Sequence, residues 1–162
     1  MDYRTILLVG QCGSGKTWVC KELIEYYKLI YSAKIKTIHF KTNKKVSIIG
    51  KYTGHIFDGT DRLSMSVMKD IVYLKNAQEK HDMFILAEGD RFMNKTFIGK
   101  FNPYIIKILD NGISGRQKRN SSQSERQIKS IRTRVDNTPS HVDVNTSSQA
   151  LSLIKKIINE NS

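Results

Sequence analysis

The segment 10–17 constrains the fold of this chain more than any other stretch. It reads GQCGSGKT and matches the pattern G-x-x-x-x-G-K-[ST], the phosphate-binding P-loop. The short apolar run 5–9 precedes it and is typical of a buried strand. Apolar residues after it recur at helical spacing: Val19, Leu23, Ile24, Tyr27 and Ile30. The motif therefore lies between a strand and a helix, which is the context that phosphate binding requires.

The P-loop predicts a bound nucleoside triphosphate with Mg²⁺. Its glycines let backbone N–H groups point at phosphate oxygens, and the N-terminus of the following helix adds positive potential. We expect Lys16 to reach the β- and γ-phosphates as a catalytic residue and Thr17 to ligate Mg²⁺. We expect ATP to contact the residues after the first glycine: Gln11, Cys12, Gly13, Ser14, Gly15, Lys16 and Thr17.

Length and composition are those of one globular domain, spanning 1–162. Of the 162 residues 39% are hydrophobic, and no apolar run is long enough to cross a membrane. The first strand follows the N-terminus closely, so we expect no signal peptide. Cys12 and Cys20 lack a metal-binding spacing, and we expect reduced thiols in a cytoplasmic protein. The sequence leaves the oligomeric state open.

The chain is strongly basic. It has 27 Lys and Arg residues against 15 Asp and Glu residues, and the net charge of +12 exceeds what a nucleotide needs. The excess favours a polyanionic partner such as DNA or RNA, although a merely basic surface has the same composition. Residues 28–57 contain recurring lysines and no acidic residue. They predict either a surface for a phosphate backbone or lysines that protect an edge strand.

Residues 50–64, which we call the acceptor segment, are rich in glycine, charge and aromatic side chains. In an α/β domain such a segment lies beyond the strand ends, where ligands bind. We expect an acceptor substrate to contact this segment and the turn near residue 90, through Tyr52, Phe57, Asp58, Arg62 and Arg91. For the two aromatic side chains, packing in the core is the alternative.

The run 83–87 predicts a second buried strand, which ends in Glu88. A carboxylate at the end of a strand facing the P-loop is the position of a Walker-B residue, which holds the Mg²⁺ shell. We therefore expect Glu88 to bind the metal together with Thr17. The alternative is an acidic turn without a ligand.

Residues 115–134 contain seven Lys and Arg residues and one acidic residue. Arginine binds phosphate through two parallel hydrogen bonds, so we predict a lid at about 113–135 that closes on the nucleotide. Within it we expect Arg116 and Arg119 to contact ATP and Arg126 to be catalytic, and the serines of 121–124 offer a helix N-cap. A solvated basic helix is the alternative.

The order of these elements resembles the nucleoside monophosphate kinase group of P-loop kinases over nearly the whole chain. The resemblance implies a three-layer α/β fold, with a five-stranded, mainly parallel sheet in the order 2-3-1-4-5 and an arginine-rich lid. A narrower resemblance, to bacteriophage kinases that phosphorylate 5-hydroxymethyluracil in DNA, rests on four segments, GKYTG, FDGTDRLS, EGDR and QSERQIK. It implies ATP and Mg²⁺ as cofactors and DNA containing a modified pyrimidine as partner.

An alcohol acceptor has to lose its proton, so this kinase reading requires a base. Asp61 is the first candidate, with Asp58 and Asp90 as alternatives. Tyr52 and Phe57 would stack on a base extruded from the duplex.

Two other functions fit the same motifs. One is a kinase of free deoxynucleoside monophosphates, in which Arg62 and Arg91 bind the acceptor's phosphate. The other is a small nucleic-acid-binding ATPase.

Overall fold

The fold is that of a computed structural model, which describes residues 3–54, 58–118 and 124–161, with the side chains of Asp61 and Lys118 left out. The strands in these ranges are β1 (Thr5–Gly10), β2 (Tyr31–Ile35), β3 (Ile38–Thr42), β4 (Val46–Ile49), β5 (Phe84–Glu88), β6 (Tyr104–Ile108) and β7 (Val142–Val144). The α-helices are α1 (Lys16–Tyr26), α2 (Ile71–His81), α3 (Lys95–Phe101), α4 (Ile113–Lys118), α5 (Glu125–Asn137) and α6 (Ser147–Glu160). Short 3₁₀ turns lie at Thr60–Arg62, Val67–Asp70 and Asp90–Phe92.

The described strands form one seven-stranded sheet in the order β2-β3-β4-β5-β1-β6-β7. Neighbouring strands from β4 to β7 pair in parallel, whereas β3 pairs antiparallel with both β2 and β4. The α/β class with a mostly parallel sheet is confirmed. The predicted five strands in the order 2-3-1-4-5 are wrong in number and order, because β2 and β3 add an antiparallel hairpin at one edge.

Helices cover both faces of the sheet. On one face, α1 and α6 pack against strand side chains that include Leu8, Leu86 and Ile106. On the other face, α2 and α3 contribute Leu74 and Phe97 to a second core. Every residue of β1 and β5 is buried. This burial on both faces is the reason that the two strands are nearly continuous apolar runs.

The predicted lid corresponds to α4 and α5, and residues 119–123 between them lie outside the described ranges. The Ser124 hydroxyl accepts from Gln127 N at 3.2 Å, and Gln127 Oε1 accepts from Ser124 N at 3.0 Å. This reciprocal pair is a capping box, and it confirms the serine N-cap expected before this helix.

Among the residues that the structure describes, no helix has the length and apolar character needed to cross a lipid bilayer. Both cysteines carry free thiols; Cys12 is half-buried in the P-loop and Cys20 is buried on α1.

Candidate nucleotide and acceptor site

The sheet topology brings the predicted loops to one place. The parallel strands end at the same edge of the sheet, which is where ligands bind in open α/β folds. The P-loop follows β1, the acceptor segment follows β4, and Glu88 ends β5. Because β5 lies between β4 and β1, Glu88 is flanked by the P-loop on one side and by the acceptor segment on the other.

The P-loop backbone is suited to an anion. Gly13 and Gly15 have φ angles of 82° and 100°, in the left-handed region that favours glycine. Gly15 directly precedes α1, and its position provides no side-chain hydrogen bond to the first turn of the helix. Uncapped N–H groups and the helix dipole make this turn an anion-binding position. A phosphate bound here would meet no side-chain cap from Gly15 at this end of the helix.

Lys16 spans the P-loop. Its Nζ donates to the carbonyl oxygens of Gly10 at 2.8 Å and Gln11 at 3.0 Å. Its aliphatic chain passes Gly89, where an added Cβ would lie 3.8 Å from Lys16 Cε. The ammonium is thus held by backbone carbonyls, and phosphate oxygens are stronger acceptors for it.

Thr17 and Glu88, the predicted metal ligands, converge on Gly59 of the acceptor segment. A Cβ built on Gly59 would lie 2.6 Å from Glu88 Oε1 and 3.3 Å from Thr17 Oγ1. Gly59 has a φ of 118°, so space and backbone both require glycine. Glu88 is buried, and its Oε1 accepts from Thr60 N at 3.4 Å. The Thr17 hydroxyl donates to the Asp58 carbonyl at 3.3 Å.

This pair of oxygen donors fits Mg²⁺. In nucleotide sites Mg²⁺ takes one or two carboxylates from the protein and completes its shell with phosphate oxygens and water. A P-loop threonine and a strand-end carboxylate are the protein's share of such a shell. The described residues contain no group of three or more His, Cys, Asp or Glu side chains placed to hold a metal ion. A metal at Thr17 and Glu88 would take further ligands from the nucleotide's phosphate oxygens and from water.

Helix α4 forms a wall of the P-loop. Arg116 Nη1 donates to the Cys12 carbonyl at 2.7 Å. Added Cβ atoms on Gly112 and Gly115 would lie 1.8 Å from Cys12 O and 2.0 Å from Gly13 O. The two backbones are in direct contact, which only glycine permits. Arg116, predicted to contact ATP, lies at the P-loop and fastens α4 to it.

Two polar atoms of the P-loop, Gln11 Oε1 and Ser14 Oγ, are buried without a hydrogen-bond partner among the described residues. Buried polar atoms are normally paired with protein or water. A bound ligand with its water shell would supply partners here. The unpaired atoms favour the prediction that Gln11 and Ser14 face the nucleotide.

Asp58 organises the acceptor segment. Its carboxylate has no exposed surface and accepts from the N–H groups of Thr53 at 3.1 Å and Gly54 at 2.7 Å. Arg62 Nη1 donates to Asp58 Oδ1 at 2.9 Å, and Lys21 Nζ of α1 lies 3.4 Å from Oδ2. These four donors fold the segment on itself and tie it to α1.

The same donors keep Asp58 ionised. Burial raises the pKa of its carboxyl, but the hydrogen bonds from Thr53, Gly54, Arg62 and Lys21 outweigh burial and leave the pKa below its usual value. A carboxylate with a depressed pKa and occupied oxygens is a poor general base. These contacts favour a structural role for Asp58 over that of a base or a substrate contact.

Tyr52, predicted to contact the acceptor, packs inside the protein. Its side chain belongs to the core on the α1 face, and the residue is only 8% exposed. Burial, with smaller effects from Cys20 and Glu88, raises the pKa of the Tyr52 phenol well above its usual value. This packing favours the alternative interpretation of Tyr52, a core residue, over stacking on a substrate base.

Both arginines expected to hold the acceptor have partners within the protein. Arg62 donates to Thr53 Oγ1 at 2.6 Å as well as to Asp58. Arg91 Nη1 donates to the Leu63 carbonyl at 2.5 Å. Their direct role in acceptor binding stays a prediction, since both lie at the acceptor segment and neither is fully buried.

Two predicted residues are beyond what the structure describes. Phe57 lies outside the described ranges. Asp61 has its backbone in the 3₁₀ turn Thr60–Arg62 beside Glu88, but its side chain is not described. Its role as the base therefore stays a prediction.

The arginine that reaches the strand ends is one that sequence reasoning missed. Arg126 is exposed on α5, and Arg119 lies outside the described ranges. Arg134 Nη2 lies 2.7 Å from both carboxylate oxygens of Asp90, which follows β5 closely. This ion pair also occupies Asp90, an alternative base. The signal in the sequence was the apolar residue Val135 next to Arg134. In the structure Val135 is buried and fixes this end of the helix.

A buried strand, a P-loop, a helix and an acid-ended neighbouring strand define a nucleotide-binding protein of the P-loop NTPase type. Residues 3–108 match the family model PduV-EutP, described as "Ethanolamine utilisation - propanediol utilisation". The match covers more than half of the chain, and the chain belongs to the PduV-EutP family. The matched range contains the P-loop, the acceptor segment and Glu88.

One solved structure, titled "Crystal structure of uncharacterized protein from Eubacterium ventriosum ATCC 27560", resembles the chain over 96% of its length and 98% of that protein's length. The two are 14% identical, with a TM-score of 0.49. A similarity of this degree is too low to transfer fold or function. No curated protein matches the chain.

The family match overturns the resemblance to monophosphate kinases and to bacteriophage kinases of 5-hydroxymethyluracil in DNA. Three of the four supporting segments, 50–54, 57–64 and 88–91, lie within the matched range. In the structure, Gly59 makes room for Glu88 and Thr17, and Asp58 closes the acceptor segment. These residues are required by the architecture of the loop and do not identify an acceptor base.

Proposed function

We propose that this protein is a phosphotransferase that uses ATP and Mg²⁺ and whose acceptor is a hydroxyl group at the acceptor segment. The observation that carries the proposal is the contact between the donor and acceptor halves of the site. The hydroxyl of Thr17, beside the phosphate position, donates to the carbonyl of Asp58 in the acceptor segment at 3.3 Å. Gly59, the next residue, lies against Glu88. An acceptor bound to this segment would be close to the γ-phosphate.

The proposed reaction exchanges one P–O bond for another. The acceptor oxygen bonds to the γ-phosphorus, the bond from this phosphorus to the bridging oxygen breaks, and ADP leaves. The hydroxyl proton passes to a carboxylate, for which Asp61 is the candidate. Lys16 would stabilise the phosphate charge, and Thr17 with Glu88 would hold the metal. Bound Mg²⁺ would neutralise charge on the transferred group.

We propose DNA as the partner that carries the acceptor hydroxyl. The net charge of +12 is more than a free nucleotide requires. A monophosphate acceptor would need only a few cations near Arg62 and Arg91, whereas a long polyanion uses charge over a whole surface.

A nucleotide hydrolase is the second candidate. The family is of the P-loop NTPase type, and in a hydrolase water would take the place of the acceptor. In that case the acceptor segment would respond to the nucleotide through Thr17 and Glu88 without binding a substrate.

Transfer of labelled γ-phosphate distinguishes these functions. The protein is incubated with γ-labelled ATP, and with GTP in parallel, in the presence of duplex DNA, single-stranded DNA or free deoxynucleoside monophosphates. Label on DNA supports the proposal. Label on monophosphates means a kinase of free nucleotides, and label found only as inorganic phosphate means a hydrolase; either result would refute the proposed transfer to DNA.

A further inference from the structure

The hairpin β2–β3 presents a polar, basic face. In the antiparallel register Lys34 lies opposite His39 and Ser32 lies opposite Lys41, and residues directly opposite each other share a face. The other face of the hairpin carries Ile38, which packs in the core with α2 and α3. The lysines and the histidine therefore project together, on the side of the sheet away from that core.

A further cation lies beside this face, just beyond β4, whose own four residues are all buried. Lys51 follows β4, and Gly50 N donates to the His39 carbonyl at 2.8 Å, which brings this turn beside β3. Burial lowers the pKa of His39, and the nearby Lys51 and Lys34 lower it further. We define the basic face as Lys34, His39, Lys41 and Lys51.

The charge of this face is not neutralised within the described protein. No acidic residue occurs from 28 to 57, and the ion pairs of the described ranges involve none of the three lysines. Lys41 Nζ donates to the Ser32 hydroxyl at 2.6 Å, a neutral partner. Like charges held together without a counter-charge are unfavourable, and a bound polyanion would relieve the repulsion.

Protection of the sheet edge does not explain the face. Protection of an edge needs charged residues on the outermost strand, and Lys34 on β2 is sufficient for this purpose. Lys41 lies on β3, which is paired on both sides, and Lys51 lies beyond β4. The cations therefore lie on β2, on β3 and just beyond β4, and they extend inward from the edge.

The inner end of the basic face meets the candidate site. Lys51 and Gly59 exchange two backbone hydrogen bonds, of 2.8 and 3.0 Å, and Gly59 lies against Thr17 and Glu88. Strands are about 4.8 Å apart, so the face spans roughly 10 Å from β2 to β4. At about 3.4 Å of axis per phosphate of one strand, this length matches about three phosphates.

We propose that the basic face binds the phosphodiester backbone of a nucleic acid and leads it to the acceptor segment. The evidence for binding is the charge of the face and the strand register, and it does not depend on the proposed function. The delivery of a hydroxyl group to the site rests on the proposed function. The two parts are separated experimentally by measuring binding without nucleotide and transfer with it.

The test compares Lys34→Gln/Lys41→Gln with the control Lys80→Gln/Lys95→Gln, which removes the same charge from exposed positions on α2 and α3. Binding of a labelled duplex and a labelled single strand is measured by anisotropy over a range of salt concentrations. Two lost phosphate contacts should reduce the slope of log K against log salt by roughly 1.8 for the duplex or 1.4 for the single strand. The control should keep the slope of the wild type.

Equal slopes for the basic-face variant and the control would overturn the proposal. The proposal would also be overturned if polyglutamate displaced the labelled oligonucleotide as effectively as unlabelled oligonucleotide does. That result would mean that the face binds an acidic protein partner. Melting curves verify that the variants fold. If the double variant is unstable, Lys34→Gln alone, at an exposed position, replaces it, and half of the slope change is expected. Normal DNA binding without transfer would refute the proposed function and leave the basic face intact.

Discussion

Lys16 is the side chain whose loss should separate nucleotide chemistry from folding. Its ammonium bonds to the carbonyls of Gly10 and Gln11, so Lys16→Ala removes a cation from the phosphate position and leaves the core closed. We expect phosphoryl transfer to fall by roughly 10²–10³-fold, the usual cost of losing one preorganised group at a developing charge. Lys80→Ala, at an exposed position on α2, is the matched control. Wild-type turnover in a folded Lys16→Ala protein would exclude this lysine from the mechanism.

Asp58 should stabilise the fold at neutral pH and lose this effect in acid. Burial raises the pKa of its carboxyl, but the four donors lower it more, so the folded pKa lies below the unfolded value of about 4. The stabilisation is therefore complete above the unfolded pKa and disappears as the pH falls through the folded pKa. Asp58→Asn should lower the free energy of unfolding by roughly 1–3 kcal/mol at neutral pH. Denaturant titrations should show that the difference narrows in acid; a constant difference would contradict the assignment.

The P-loop was predictable residue by residue, because each of its positions has a separate requirement, such as the left-handed φ of Gly13 and Gly15. The acceptor residues were not predictable in this way. A carboxylate or a phenol has the same sequence context whether it faces a ligand or the protein. Only the three-dimensional partners of Asp58 and Tyr52 decide between the two.

At the level of elements, α4 should hold the P-loop in shape through its glycines. Gly115→Ala would place a Cβ 2.0 Å from the Gly13 carbonyl, so the P-loop backbone has to shift. We expect nucleotide affinity to fall at least about tenfold, or ~1.4 kcal/mol. Gly99→Ala in α3 is the matched control, since nothing lies within 4 Å of its added Cβ, and it should raise stability by roughly 0.5–1 kcal/mol. Equal nucleotide affinity in the two variants would show that α4 does not support the P-loop.

Helix α5 should affect the site through its C-terminal end, where Arg134 pairs with Asp90. The side chains of Arg134 and Asp90 are 49% and 30% exposed, so this ion pair contributes at most about 1 kcal/mol to stability. If α5 is part of a lid, Arg134→Gln should lower turnover while the melting temperature hardly changes. Arg126→Gln tests the catalytic arginine predicted from sequence. A loss of turnover with Arg126→Gln alone supports catalysis by Arg126, a loss with Arg134→Gln alone supports docking, and no loss in either contradicts a lid.

At the level of the whole molecule, the order of the predicted elements led to the α/β class, but the edge hairpin was missed. Its turn, Lys36-Thr37, lacks the Asn-Gly or Gly signal of a two-residue hairpin. Lys36 nevertheless has a φ of 55°. Asp70 supports the turn from a distant part of the chain by accepting from Thr37 N at 3.1 Å and Thr37 Oγ1 at 2.5 Å. A turn stabilised by a residue so far away in sequence leaves no local pattern to read.

Binding of a nucleoside triphosphate with Mg²⁺ is the step on which phosphotransfer and hydrolysis both depend. Titration calorimetry of ATP and GTP, with Mg²⁺ and with EDTA, measures it on the wild type and on Glu88→Gln, which keeps the shape of the side chain and removes its charge. We predict tighter binding of the triphosphate with Mg²⁺ than with EDTA in the wild type, and loss of most of this difference in a folded Glu88→Gln protein. Absence of binding by either nucleotide, or a Mg²⁺ dependence unchanged in Glu88→Gln, would contradict a metal–nucleotide site at Thr17 and Glu88.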